Sequence, residues 1–207
     1  MSRRRPTFER EIALWNAGRS IVAGLDEAGR GPLAGPVVAA AVVFPPDARA
    51  VPGLRDSKML TALARERVAL RVRRRALAIA VAAASVREID RHNIRGATIL
   101  AMRRAIRRLP ALPDHVLVDG LPIPELLWEH DAIVGGDARC QSIAAASVIA
   151  KTVRDRLMER LAARYAGFGW ETNRGYGTED HLAALGLYGP TPHHRRSFAP
   201  VAQLRLV

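Results

Sequence analysis

The sequence predicts an α/β domain, a sheet covered by helices, and three observations carry that prediction. Apolar runs of strand length recur at residues 20–26, 37–44, 77–85, 115–120 and 132–134. Segments with helical spacing fall at 61–75, 93–109 and 141–164. Apolar residues make up 49% of the 207-residue chain but aromatics only 5%, so a sizeable core must be built from Ala, Val, Leu and Ile.

Taken in order, residues 8–17 read as a short helix, with Thr7 as N-cap, Gly18 as stop, and Phe8, Ile12 and Trp15 at packing positions. Residues 20–26 read as a strand. The run Val-Val-Ala-Ala-Ala-Val-Val-Phe at 37–44 reads as a buried central strand, because it is β-branched and closes on Pro45-Pro46. The short turn between these two strands favours a hairpin-like antiparallel pair. Asp56-Ser57-Lys58 lies in a loop, and Thr61 then caps a very basic helix that ends near Arg75. After the strand at 77–85, the segment 93–109 is an amphipathic helix. Ile94, Thr98, Ala101, Met102, Ala105 and Leu109 form one stripe, and Arg95, Arg103, Arg104, Arg107 and Arg108 lie on the outer face. Two short strands follow, one ending in Asp119-Gly120 and the other in Gly135-Gly136-Asp137. A long helix at 141–164 presents Ala146, Ile149, Val153, Leu157 and Leu161. Residues 173–178 form a loop, and Thr178 caps a short helix that holds His181 and Leu185. The tail from Tyr188 is turn-rich and basic.

Net charge is +12, carried almost wholly by arginine, which points to a polyanionic partner, nucleic acid first. A genome rich in G and C would also enrich arginine, but it would not place carboxylates beside the basic segments. The single cysteine, Cys140, rules out an intramolecular disulfide, so a reducing cytoplasm is the expected compartment. No apolar segment of signal-peptide length follows the basic start Met1-Ser2-Arg3-Arg4-Arg5, and no apolar run is long enough to span a membrane.

Residues 26–31, Asp-Glu-Ala-Gly-Arg-Gly, are the most informative stretch. Two carboxylates at a strand end can hold a hard metal ion such as Mg²⁺. A glycine turn lets backbone N–H groups approach a phosphate or sugar closely. Asp119 and Asp137 follow two other strands. Either acid alone reads as a cap or turn residue. Converging with Asp26 and Glu27, they would repel one another unless cations intervened, and Mg²⁺ or Mn²⁺ in a two-metal site, about 3.5–4 Å apart, would serve phosphodiester hydrolysis.

Other motifs are weaker. Gly29-Arg30-Gly31 lacks the Lys-Ser/Thr ending of an NTPase loop. Ser147 and Lys151, four apart, could be read as a nucleophilic pair, though a polar helix face explains them more simply. His181, His193 and His194 lack partners at zinc spacing. Cys140 reads as a small packing residue.

The ordered segments 26–40, Asp56-Ser57-Lys58, Val118-Asp119-Gly120, Gly136-Asp137, 142–151 with Arg154-Asp155, 175–178 with His181, and 188–192 with Arg195 and Ser197-Phe198 resemble bacterial ribonuclease HII, the type 2 ribonuclease H, over nearly the whole chain. The resemblance implies a ribonuclease H-like mixed β-sheet flanked by helices. It implies one catalytic domain over 1–207, of which about 167–207 forms a small substrate-contacting helical portion. It also implies an endonuclease that cuts the RNA strand of RNA–DNA hybrids and incises duplex DNA 5′ of single embedded ribonucleotides, leaving 3′-hydroxyl and 5′-phosphate ends. The family's four metal-binding acids fall on Asp26, Glu27, Asp119 and Asp137, its glycine-arginine-glycine element on Gly29, Arg30 and Gly31, and its substrate-sensing tyrosine on Tyr176. The match is loose at Phe8, and no function carries over to residues 1–5.

With that substrate, Gly29–Gly31 backbone groups suit the 2′-hydroxyl that separates RNA from DNA, and the Tyr176 ring suits the neighbouring deoxyribose. Arg30, Ser57, Lys58, Ser147 and Lys151 are expected on flanking phosphates, where contacts position a duplex without reading sequence. A monomer is expected, with no convincing clamp-binding peptide in the tail from Gln203. Two competing readings remain: a non-catalytic duplex-binding protein, and a Ser147–Lys151 hydrolase indifferent to chelation.

Overall fold

The computed structural model describes residues 5–204; the arginine-rich start before Arg5 and the last three residues of the tail lie outside them. Five strands, β1 (Val22–Ala28), β2 (Val37–Val43), β3 (Ala78–Ala84), β4 (His115–Asp119) and β5 (His130–Ile133), form one mixed sheet in the order β3-β2-β1-β4-β5. β1–β2 and β2–β3 are antiparallel, whereas β1–β4 and β4–β5 are parallel. The hairpin-like pair expected from the 29–36 turn is present.

The helices are α1 (Glu9–Asn16), α2 (Ala62–Arg75), α3 (Val86–Arg107), α4 (Gln141–Arg164), α5 (Trp170–Asn173), α6 (Glu179–Tyr188) and α7 (Ala199–Gln203). Alternation along β2 divides the core. Ala39, Ala41 and Val43 face α3, while Val38, Ala40 and Val42 face α2 and α4. The first ten residues of α4, Gln141 to Ala150, are all buried. Their small side chains let the helix lie directly on β1, where a Cβ at Gly24 would fall 2.1 Å from the Ser142 carbonyl carbon. A third apolar cluster joins Leu33 and Ala34 to Met158, Phe168, Trp170, Leu185 and Val201, fastening the C-terminal helices to the β1–β2 turn.

Several local readings change. α3 begins at Val86, seven residues earlier than the amphipathic stripe, because Ser85 and Glu88 form a reciprocal capping box; Asn93, at φ 55, interrupts it where the stripe starts. On α1 it is Glu11 that is fully buried, while Ile12 is 46% exposed. Glu11 Oε1 accepts from the backbone N–H and the hydroxyl of Ser142, satisfying orphan donors in the first turn of α4. Thr7 is not the cap of α1, which Phe8 occupies without a side-chain hydrogen bond; Thr7 pairs instead with Cys140 in an isolated bridge.

Candidate active site

β1 does not stop at Asp26. On the β2 side its ladder continues to Ala28 opposite Val38, but on the β4 side it ends at Leu25 opposite Val118. Asp26 and Asp119 therefore follow the last pair between the parallel strands β1 and β4 and emerge at the same edge. β5 ends beside Asp119, and the turn after it, Gly136–Ala138, carries Asp137. The Gly136 N–H donates to Asp119 Oδ1 at 2.7 Å, tying that turn to β4. Acids from three segments thus meet at the carboxyl ends of parallel strands, where open α/β sheets commonly bind ligands.

The electrostatics reflect that gathering. Burial, then Glu27 and Asp119, push the Asp26 carboxyl well above the ordinary carboxylate range, while a hydrogen bond from Ser147 opposes them. Burial raises Glu27 as well, against the lowering effect of Arg30 at 3.3 Å. Asp137 is pushed up to about 6, by burial first and then by Asp56 and Asp119. Burial would lower the Lys58 ammonium, but Asp56, Asp137, Asp26 and Asp119 together outweigh it and raise its pKa.

Among the described residues no three His, Cys, Asp or Glu side chains are drawn into a closed metal-ligand set; Asp26, Glu27 and Asp119 line an open cleft. Their chemistry nevertheless suits a hard divalent cation. The donors are all carboxylate oxygens, and their mutual repulsion is the imbalance such a cation relieves.

That cleft, about 260 Å³, is lined by Asp26, Glu27, Gly29, Arg30, Gly31, Ser57, Lys58, Asp119, Ser147, Lys151 and Tyr176. Of the twelve residues singled out from sequence, only Asp137 is missing from the lining, and its carboxyl feels Asp56, Asp119 and Lys58. A larger cavity, about 460 Å³, lies alongside between Arg5, the 50–56 loop and Gln141; Asp56 is its only acid. The gathered acids, not cavity size, mark the site.

Ser147 and Lys151 do not form a nucleophilic pair. The Ser147 hydroxyl lies 3.0 Å from Ser57 Oγ, and Lys151 Nζ donates to Asp155 Oδ1 at 2.6 Å. Asp155 also accepts from Arg65, so one buried carboxylate fixes both cations.

The opposite wall is the glycine loop. Gly29 sits at φ +96 with Arg154 packed against it, so that a Cβ would fall 1.9 Å from Arg154 Nε. Gly31 is open: the nearest atom to a Cβ there is Tyr176 Cε1 at 3.6 Å. The Tyr176 ring thus stands beside Gly31 and is 46% exposed. Its loop is held by Gly175 O, which accepts from Leu33 N and Ala34 N.

The histidines are structural in this setting. The His181 ring lies 3.0 Å from that of His194, with Trp170 Nε1 donating to His181 Nε2. His193 packs edge-on against Tyr165. Cys140 is buried, and burial, then Glu11, pushes its thiol up to about 12. Sequence reasoning named Asp56, Arg154 and Arg195 only within the segments that carry the resemblance and gave them no role. Asp56 opens the motif whose next two residues were assigned to substrate, but the burial of the two arginines had no local signal.

A family model described as Ribonuclease HII matches residues 23–201. A protein of Thiobacillus denitrificans named Ribonuclease HII is 55% identical over 198 residues, 96% of each chain. One of the same name from Cereibacter sphaeroides is 54% identical over 198 residues, covering 95% of this chain and 92% of that protein. Among solved structures, ribonuclease H2 from Pyrococcus horikoshii superposes with a TM-score of 0.75 at 27% identity, over 90% of this chain and 97% of that one.

Proposed function

The chain belongs to the ribonuclease HII family of endonucleases, and from that premise we propose that it hydrolyses the RNA strand of RNA–DNA hybrids and nicks duplex DNA 5′ of single embedded ribonucleotides. The ends left are 3′-hydroxyl and 5′-phosphate, and the role is ribonucleotide removal during DNA replication and repair. The observation that carries this reading is the cleft itself, with strand-end acids on one wall and a glycine loop with an exposed tyrosine on the other.

Asp26, Glu27, Asp119 and Asp137 would hold Mg²⁺ or Mn²⁺. When bound, a pair of such ions supplies an activated water and stabilises the departing 3′-oxygen. The protein's own groups do the rest. The Glu27 N–H orients Asp26, and the Gly136 N–H orients Asp119. The Gly29–Gly31 backbone offers donors to the ribose 2′-hydroxyl, and the Tyr176 ring rests on the adjacent deoxyribose. Arg30, Ser57, Lys58, Ser147 and Lys151 hold flanking phosphates, so binding weakens with salt and shows little base preference. The working form is a cytoplasmic monomer. Among the described residues no helix is long and apolar enough to cross a membrane.

The test uses purified protein and a labelled duplex with a single ribonucleotide. The expected result is a nick at the ribonucleotide in Mg²⁺ that disappears with chelator and in Asp137→Asn, while that variant still binds the duplex. Binding by the wild-type protein with no chelator-sensitive nick would favour a non-catalytic binder. Cleavage retained in Asp137→Asn would remove that acid from the metal site.

A further inference from the structure

Arg195 is fully buried, in the tail of the chain; its guanidinium lies over the Phe198 ring, and all its hydrogen-bond acceptors are backbone carbonyls. Nη1 donates to Arg30 O at 2.7 Å, Nη2 to Gly29 O and Gly35 O, and Nε to Gly35 O at 3.0 Å. The loop it grips is the glycine-arginine-glycine turn of the cleft. The planar guanidinium spreads its donors in a fixed fork that matches these three carbonyls, whereas a lysine would bring its three donors from one point with no fixed plane.

The consequence follows from peptide geometry. No peptide bond among the described residues is cis. In a trans peptide the carbonyl oxygen and the next N–H point to opposite sides of the chain. The Gly29 carbonyl shares its peptide plane with the Arg30 N–H, and the Arg30 carbonyl shares its plane with the Gly31 N–H. Drawing both carbonyls inward onto Arg195 turns both N–H groups outward, toward the cleft that Arg30 and Gly31 line. We infer that Arg195 is a positioning residue that aims the Arg30 and Gly31 backbone N–H groups at the ribose of the substrate. This rests on the ribonuclease reading above and assigns the cause of the loop's orientation within it.

The same tail also positions the tyrosine. The Thr191 N–H donates to His194 Nδ1, and the Nε2 atoms of His194 and His181 lie 3.0 Å apart. His181 in turn donates from Nδ1 to the Tyr176 carbonyl at 2.8 Å. Arg195 N donates to Leu33 O, and Gly35 N to His193 O. The tail is itself fixed from behind, since Asp90 of α3 accepts from the backbone and hydroxyl of Ser197. Consecutive residues His194 and Arg195 therefore set Tyr176 and the glycine loop against each other, and the spacing between the two ribose-facing elements is decided by one short segment.

The test compares wild type, Arg195→Gln and Arg195→Lys on two duplexes that differ only by one 2′-hydroxyl. Nicking of the ribonucleotide duplex by wild type in Mg²⁺ is checked first; its absence would count against the ribonuclease reading itself. Affinities are then measured with chelator present, so that nothing is cut. Arg195→Gln is expected to lose roughly tenfold in the preference for the ribonucleotide duplex, with affinity for the all-deoxy duplex unchanged and Arg195→Lys intermediate. An unchanged preference in folded Arg195→Gln would overturn the inference. So would an equal loss on both duplexes, which would make the contact one to phosphate. If Arg195→Gln does not fold, the wild-type amides decide. The Arg30 and Gly31 N–H resonances should move downfield with the ribonucleotide duplex and not with the all-deoxy one, and no difference between the duplexes would overturn it.

Discussion

The hydroxyls of Ser57 and Ser147 lie 3.0 Å apart, although 90 residues separate them in the chain. Ser147 also lies near enough to Asp26 to lower its carboxyl pKa, so it links the loop before α2 to the most deeply buried acid of the cleft. Ser147→Ala removes both contacts without leaving a large cavity. We expect a stability cost of about 1 kcal/mol and a single-turnover cleavage rate reduced on the order of tenfold, equivalent to about 1.4 kcal/mol, with chelator sensitivity retained. Thermal melts and single-turnover kinetics measure the two effects. A wild-type activity that survives chelation and vanishes in this variant would revive the serine–lysine hydrolase.

Gly29 and Gly31 are two residues apart but face different constraints. Gly29→Ala meets both φ +96 and Arg154, and should lower stability by about 1–3 kcal/mol. Gly31→Ala meets only the edge of the Tyr176 ring at 3.6 Å, and should change stability by no more than about 0.5 kcal/mol. Its added methyl group projects toward the cleft, so its effect should fall on the KM for a single-ribonucleotide duplex. Urea midpoints and steady-state kinetics on the pair distinguish these effects. Equal destabilisation by both substitutions would contradict the assignment.

His194 is buried, and burial, then His181 and His193, push its pKa down to about 4. The folded state therefore keeps this ring neutral, while the unfolded chain takes up a proton near 6.5. Between those values the unfolded state binds more protons. The stability tied to the neutral ring is complete above about pH 6.5 and is lost as pH falls toward 4. The shift corresponds to an upper bound of about 3 kcal/mol. Urea midpoints at pH 7.5 and 4.5 should show the loss in wild type, and a shallower pH slope in His194→Asn. Identical slopes would remove His194 from the acid response.

Much of the fold was legible because local physics fixed it. Thr61 and Thr178 cap their helices as their spacing suggested. Thr98, Ala101, Met102, Ala105 and Leu109 are buried on one stripe, and the uninterrupted apolar run of β2 is buried on both faces. The misreadings have equally physical causes. The 86–92 turn of α3 is announced by Ser85 and Glu88 rather than by an apolar stripe. On α1, a glutamate displaces Ile12 from the interior because a distant helix start, at Ser142, needs its oxygen. β1 outruns its expected end because β2 pairs with it beyond the point where β4 stops.

The sequence by itself determined the elements, the acids that follow β4 and β5, and the glycine turn, since each depends on neighbours within a few positions. Only the tertiary structure decided that Asp56 stands against Asp137, that Lys151 belongs to Asp155 and not to Ser147, and that Arg195 grips Gly29 across 166 residues. Those outcomes turn on which charges are buried and which partners compensate them. Desolvation and long-range hydrogen bonding are properties of the packed chain, and no local pattern of residues encodes them.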